Sequence, residues 1–359
     1  MTRRTTVVIG AGVVGCLVAS ELAARDEEAA VLVIDRDAAG AGASRRSAGL
    51  HLPRGSTPRV RRMAAYSHAY YSALRDRRPE LPIHPVAATV LTTATADGLL
   101  GSGYLDLTMP QRAVDVPGNG LRLRDGQLAW QIAGCHYSDV GRLCETVAAS
   151  LRPAVQFSEG VAVTELTAGA DRVTVRTGSG ETIVADRVVL APGPWLNAPA
   201  WRELVAPLGL RVKKVVALHI EQRPGPADGV VVFDDEDAFL LPLARRGHWL
   251  FSYTCTEWDV DPDVLTEGVS AANLGDARDC LRRYSPALAQ ACRSGRVFCD
   301  AYSHSGEPVV QALDEAGRVV FAGAANGSGY RLAPAIAAEA IDLLHLPQSE
   351  GATGDHQYV

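Results

Sequence analysis

Two glycine-rich stretches, and the charged residues beside them, carry the chemistry of this sequence. Gly10-Ala11-Gly12-Val13-Val14-Gly15 follows the apolar run Thr6-Val7-Val8-Ile9, and a second apolar run ends at Asp35 and Arg36, with Asp35 twenty residues after Gly15. Strand, glycine turn, helix, strand and acid make up a dinucleotide-binding βαβ unit. Gly10 permits the tight turn, Gly12 lets the backbone approach a pyrophosphate, and Gly15 lets helix and strand pack closely. The helix N-terminus offers N–H groups and partial positive charge to phosphates, and Asp35 can accept hydrogen bonds from a ribose diol. This unit alone does not separate NAD from FAD. The second stretch, Gly323 to Leu332, holds Gly327-Ser328-Gly329-Tyr330-Arg331-Leu332 and opens a helix with Pro334 expected in its first turn.

Other residues could act on a bound molecule. His51 and His304 are the candidate proton acceptors, each with a structural histidine as the alternative role, and Tyr253, Trp249 and Tyr330 could line a pocket, with core packing the alternative for Trp249. The seven cysteines are odd in number, dispersed, and contain no Cys-x-x-Cys pair, which points to reduced thiols in a cytoplasm and against a zinc site; no metal-binding residues are expected.

Elements must position these groups. At 359 residues two domains are expected, and 47% hydrophobic and 21% charged residues describe an ordinary globular chain. A net charge of −6 leaves no basic footprint for nucleic acid. The Thr2-Arg3-Arg4 start is read as no signal peptide, because the glycine fingerprint interrupts the apolar run, and no run is long enough for a membrane span. Expected helices run from Pro58 to Leu74, from Ser138 or Asp139 to Leu151, and from Ala271 to Tyr284. Ala38 to Ser44 reads as a small-residue loop, and Val161–Val163 as a short strand. From Val212 to Thr254 alternating strands predict one antiparallel sheet, and Phe298 to Gln311 is expected to be extended.

In four places the sequence resembles the FAD-dependent amine oxidoreductases that include glycine oxidase, D-amino acid oxidase and monomeric sarcosine oxidase. They are the N-terminal fingerprint with Asp35; Gly42-Ala43-Ser44 leading to Ser47-Ala48-Gly49; Val188 to Trp195 through Ala191-Pro192-Gly193; and Phe321 to Pro334. The resemblance implies an α/β fold with an α+β substrate part: a Rossmann-like FAD-binding domain interleaved with an antiparallel-sheet substrate domain. The expected boundaries are 1–84, 139–207 and 300–347 for FAD, 85–138 and 208–299 for substrate, and 348–359 for a tail.

It further implies that Arg45, Arg46 and Leu50 complete the loop from Ala43 beside the flavin ring, that Val163 joins the cofactor contacts, and that backbone N–H groups of Gly327 to Leu332 face the flavin pyrimidine. Sarcosine-oxidase-like members anchor flavin on a cysteine; Asp300 aligns there, with Cys299 one residue away, so non-covalent FAD is expected. Asp300 also stands where glycine-oxidase-like members carry a carboxylate-binding arginine. Arg331 aligns with a carboxylate-binding lysine of monomeric sarcosine oxidase, whose oxygen-promoting lysine would fall in Trp249–Tyr253, a stretch without lysine.

The implied reaction oxidises the C–N bond of an amino acid or of a cyclic or secondary amine to an imine, with oxygen or another acceptor taking the electrons from FAD. An NAD-dependent dehydrogenase accounts for residues 5–35 but gives no reason for the second glycine loop. A flavin monooxygenase lacks the expected Gly-Asp motif, and a non-enzymatic FAD-binding protein is the remaining alternative.

Overall fold

A computed structural model describes residues 4–25, 29–113, 116, 120–265 and 268–345. The expected tail, 348–359, lies outside the described residues. Thr5–Ile9 sits inside a six-stranded sheet with the order Val309–Ala312, Val319–Gly323, Arg187–Leu190, Thr5–Ile9, Ala30–Asp35, Val155–Glu159. All neighbours are parallel except the edge pair Val309–Ala312 with Val319–Gly323. Parallel strands covered on both faces must be apolar throughout, which is why Val7, Val8, Val188, Val189 and Leu190 are all fully buried. Helices Val13–Arg25, Pro58–Arg77, Val140–Leu151 and Gly329–His345 cover one face. A three-stranded meander, Val163–Ala168, Val173–Thr177 and Thr182–Ala185, packs against the other.

A second, eight-stranded sheet has the order Cys292–Tyr302, Arg211–Ile220, His248–Tyr253, Ala238–Leu243, Val230–Phe233, Ala88–Thr92, Leu128–Ile132, Gln111–Arg112. It extends the expected antiparallel sheet at both ends and contains one parallel pair, Ala88–Thr92 with Val230–Phe233. The two sheets draw on segments that alternate along the chain, and strand Cys292–Tyr302 runs through the expected boundary at 299/300. A small third sheet joins Leu50–His51 and Ile83–Pro85 to His136–Ser138.

Local differences from the sequence reading have physical causes. Ala43–Arg46 forms a helical turn inside the expected loop. Strand pairing begins at Val163, with Val161 instead donating its N–H to the Asp35 carbonyl. The stretch from Phe298 divides into Cys292–Tyr302 and Val309–Ala312 around a turn.

Pro334 lies beyond the first turn of helix Gly329–His345. It has no N–H to give the Tyr330 carbonyl four residues back, so that acceptor needs another donor. The Tyr71 hydroxyl supplies it at 2.7 Å, and Ser67 Oγ, one turn earlier on Pro58–Arg77, accepts the Ala335 N–H at 3.3 Å.

Candidate flavin and substrate site

The C-terminal ends of the parallel strands open into two adjoining cavities that share Gly12, Ala43, Ser44, Ala191, Gly193 and Phe298. The outer cavity, about 860 Å³, runs past Asp35, Arg36, Arg46, Val163, Pro192 and Trp195. The inner one, about 470 Å³, is bounded by Val13, Val14, Gly15 and Ser47 to Leu50, by Gly323 and Gly327 to Arg331, and by the second sheet.

The fingerprint glycines are fixed by close approach. A Cβ on Gly10 would meet the Ala191 carbonyl oxygen at 2.2 Å, and one on Gly15 would meet the Gly10 oxygen at 1.8 Å. Gly12 borders both cavities, and a Cβ there would meet only Ser44 Oγ, at 3.3 Å. Ser44 accepts the Val13 N–H at 3.0 Å, leaving Val14 and Gly15 as helix-start donors beside the cavity. Asp35 accepts the N–H groups of Ala11 at 2.6 Å and Asp37 at 2.9 Å. Burial raises its pKa, and these donors oppose the rise. These features set free helix-start N–H groups and a carboxylate along two adjoining cavities, so the residues fit a flavin dinucleotide.

Not every expected contact faces that space. Ala11 is buried and acts through Asp35, whereas Arg45 is exposed, with its Cα packed over Gly141. Leu332 is core, and its N–H bonds the Ser328 carbonyl. In the C-terminal loop the Gly327 N–H goes to Asp300 at 2.9 Å and the Ser328 N–H to Ala325. Of the six expected donors, only those of Gly329, Tyr330 and Arg331 remain at the helix start. Burial pushes Asp300 up to about 6, against the N–H groups of Ala301 and Gly327.

The candidate substrate residues separate sharply. Tyr253 borders the inner cavity, with its hydroxyl bonded to the Asn273 carbonyl at 3.2 Å. His304 is exposed and borders neither cavity. His51 is fully buried and also borders neither, because Leu50 takes the cavity side of its strand. The Tyr330 ring stacks on Tyr71 at 4.7 Å, so only its position in the loop serves the cavity. Trp249 is core.

Arg331 borders the inner cavity. One guanidinium nitrogen reaches Ser328 Oγ, and Nε has no partner. Desolvation and the nearby Arg54 lower its pKa to about 10. Arg54 borders the same cavity, bonded to Asp234 at 2.9 Å and lying over the Tyr104 ring at 5.2 Å. Sequence reasoning missed Arg54 because it stood among many N-terminal arginines.

It also missed Lys213 and Lys214, which border the inner cavity and are 9% and 6% exposed. They are the only lysines of the chain, against 33 arginines, and that contrast was visible in the sequence. Lys214 pairs with Glu257 at 3.0 Å. The Lys213 ammonium instead lies over the rings of Trp258 at 5.0 Å and Tyr302 at 5.3 Å, and burial lowers its pKa.

The family model of FAD dependent oxidoreductases (DAO) matches residues 5–343. The chain belongs to this family. FAD is therefore its cofactor, and the chain is an FAD-dependent oxidoreductase. It is 30% identical over 333 residues to the tRNA 5-methylaminomethyl-2-thiouridine biosynthesis bifunctional protein MnmC of Chromohalobacter salexigens, covering 86% of this chain and 44% of that protein. The chain thus spans less than half the length of that curated relative. Glycine oxidase from Geobacillus kaustophilus shares the fold at TM-score 0.75 and 19% identity, over 97% of this chain and 96% of that one. L-proline dehydrogenase from P. horikoshii does so at TM-score 0.80 and 16% identity, over 96% and 93%. No described helix is long and apolar enough to cross a membrane.

Proposed function

We propose that this oxidoreductase acts on the C–N bond of an amine carrying a carboxylate, an amino acid or a cyclic or secondary amino acid, giving an imine. The observation that carries this reading is Arg331, a cavity-facing guanidinium with an unpartnered Nε and a second guanidinium, Arg54, beside it. Arg54 is paired with Asp234, whereas the Arg331 charge is desolvated, and a carboxylate beside Arg331 offsets that cost while fixing the substrate's orientation. FAD, when bound, supplies the hydride acceptor, and oxygen or another acceptor reoxidises it. The protein orients the α-carbon and excludes water. All seven cysteines are buried and unpaired, which supports a reducing, cytoplasmic setting.

Anaerobic flavin bleaching, screened over amino acids, cyclic imino acids and their amides, tests the proposal. Removing one partner of a desolvated charge pair costs about 2–5 kcal/mol, roughly 30-fold or more in affinity. Arg331→Ala should raise KM for the acid by that order, affect the amide far less, and leave FAD bound. Equal losses for acid and amide would assign Arg331 to the flavin instead.

The likeness to MnmC motivates a second reading, an amine carried on tRNA. The net charge of −6 weighs against it. Bleaching by a tRNA-borne amine but by no free amino acid would establish it.

A further inference from the structure

A cluster of imidazoles that the proposed reaction does not use lies behind the wall carrying Arg331. His51 on Leu50–His51, His68 on Pro58–Arg77 and His136 on His136–Ser138 each place a ring nitrogen within 4.8 Å of the other two. His51 is 0% exposed and His136 2%, while His68 is half-buried. Both nitrogens of His51, Nδ1 of His68 and Nε2 of His136 lack a hydrogen-bond partner. Buried polar atoms are nearly always paired, so several orphans lying this close together call for a common ligand. The Arg331 carbonyl lies on the side of His51 and offsets the lowering of its pKa without meeting it at hydrogen-bond geometry.

The charged groups acting on the cluster are Arg331 and Arg75, both cationic. Burial first, and then these cations, lower the pKa of each ring.

We propose that His51, His68 and His136 together bind one late first-row transition-metal ion of the Zn²⁺ or Cu⁺ class. An all-imidazole set suits these ions and excludes Mg²⁺ and Ca²⁺, which require oxygen ligands. Metal–nitrogen bonds of about 2.0–2.1 Å bring ligand nitrogens to roughly 3.4 Å apart, so the cluster contracts on loading. His51 and His136 stack at 4.4 Å and 9°, and one of these rings must turn to aim at a shared ion. His68, on the half-buried side, gives the ion its entry. With arginines as the nearest charges, Cu⁺ is the less costly occupant. The bound ion ties the strand after the flavin loop, helix Pro58–Arg77 and His136–Ser138 into one support behind Arg331.

The test uses the FAD-loaded protein, titrated with Zn²⁺ against a chromophoric chelator and, anaerobically, with Cu⁺ against a Cu⁺-specific chelator. At least one ion should bind at one per chain with micromolar or tighter affinity and raise the unfolding temperature. His68→Ala, at the more open position, and His136→Gln should each weaken binding by about 100-fold or more while keeping the flavin spectrum. His219→Ala/His248→Ala, which removes the other close histidine pair at 4.5 Å, should leave binding unchanged. Failure of both ions to bind the wild type, or undiminished binding in flavin-loaded His68→Ala, overturns the proposal.

Discussion

At the scale of single residues, Lys213 pits stability against function. Its ammonium is buried over two aromatic rings and makes no ion pair among the described residues. Burial lowers its folded-state pKa below the unfolded value, so between the two the unfolded chain binds more protons. Stability therefore rises with pH through that alkaline window, and at neutral pH the full penalty is present. Lys213→Met should unfold at a higher temperature at pH 7, lose the alkaline gain and, because Lys213 borders the inner cavity, lower activity with an amine substrate. Thermal melts across pH, beside kcat and KM, check this; an unchanged melt would mean that the rings fully compensate the charge. Residues of this kind mark the limit of sequence reading. Gly10, Gly12, Gly15 and Asp35 were legible because fixed spacing imposes their geometry. Arg54, Lys213 and the histidine cluster meet only through tertiary contacts between distant segments, and His51 looked catalytic until its strand turned it into the core.

At the scale of elements, the start of helix Gly329–His345 depends on helix Pro58–Arg77. The helices were legible from apolar periodicity, but not the hydrogen bond that joins them, which exists because Pro334 withholds a donor from Tyr330. Tyr71→Phe would leave a buried carbonyl unpaired, a loss of about 1–3 kcal/mol. It should lower the unfolding temperature and, by loosening the turn that holds Arg331, raise KM more than it lowers kcat. Pro334→Ala restores an N–H to the helix. In the double variant the loss from Tyr71→Phe should shrink, a coupling that a double-mutant cycle reads directly. Additive losses would show that the carbonyl finds another donor.

At the scale of the whole molecule, the segment after strand His248–Tyr253 of the eight-stranded sheet closes over the outer cavity beside the six-stranded sheet. Asp263, in the segment after strand His248–Tyr253, pairs with Arg36 at 2.6 Å and accepts the Trp195 indole N–H at 2.8 Å. The Arg36 guanidinium lies over the Trp195 ring at 4.2 Å, so three segments distant in sequence meet above the outer cavity. A covalent anchor would make such a closure superfluous, but the thiols that border the cavities argue against one. Cys299 borders the outer cavity and Cys255 the inner one, and burial raises both pKa values, that of Cys299 to about 12, away from thiolate reactivity. Acid precipitation should therefore release all of the yellow colour into the supernatant; colour retained in the pellet would refute non-covalent FAD. With retention left to contacts alone, Asp263→Ala should speed FAD dissociation. The ion pair is exposed, and such pairs are worth about 0.2–1 kcal/mol, so the expected change is only about 1.4- to fivefold. Salt should speed FAD loss from the wild type more than from Asp263→Ala, since screening removes what the variant has already lost. Asp35→Ala should cost more, because it deletes a ribose acceptor and leaves the Ala11 N–H unpaired. Measuring flavin fluorescence as FAD leaves each variant gives the order wild type, Asp263→Ala, Asp35→Ala from slowest to fastest; a reversed order would place cofactor retention in the closing segment instead of the fingerprint.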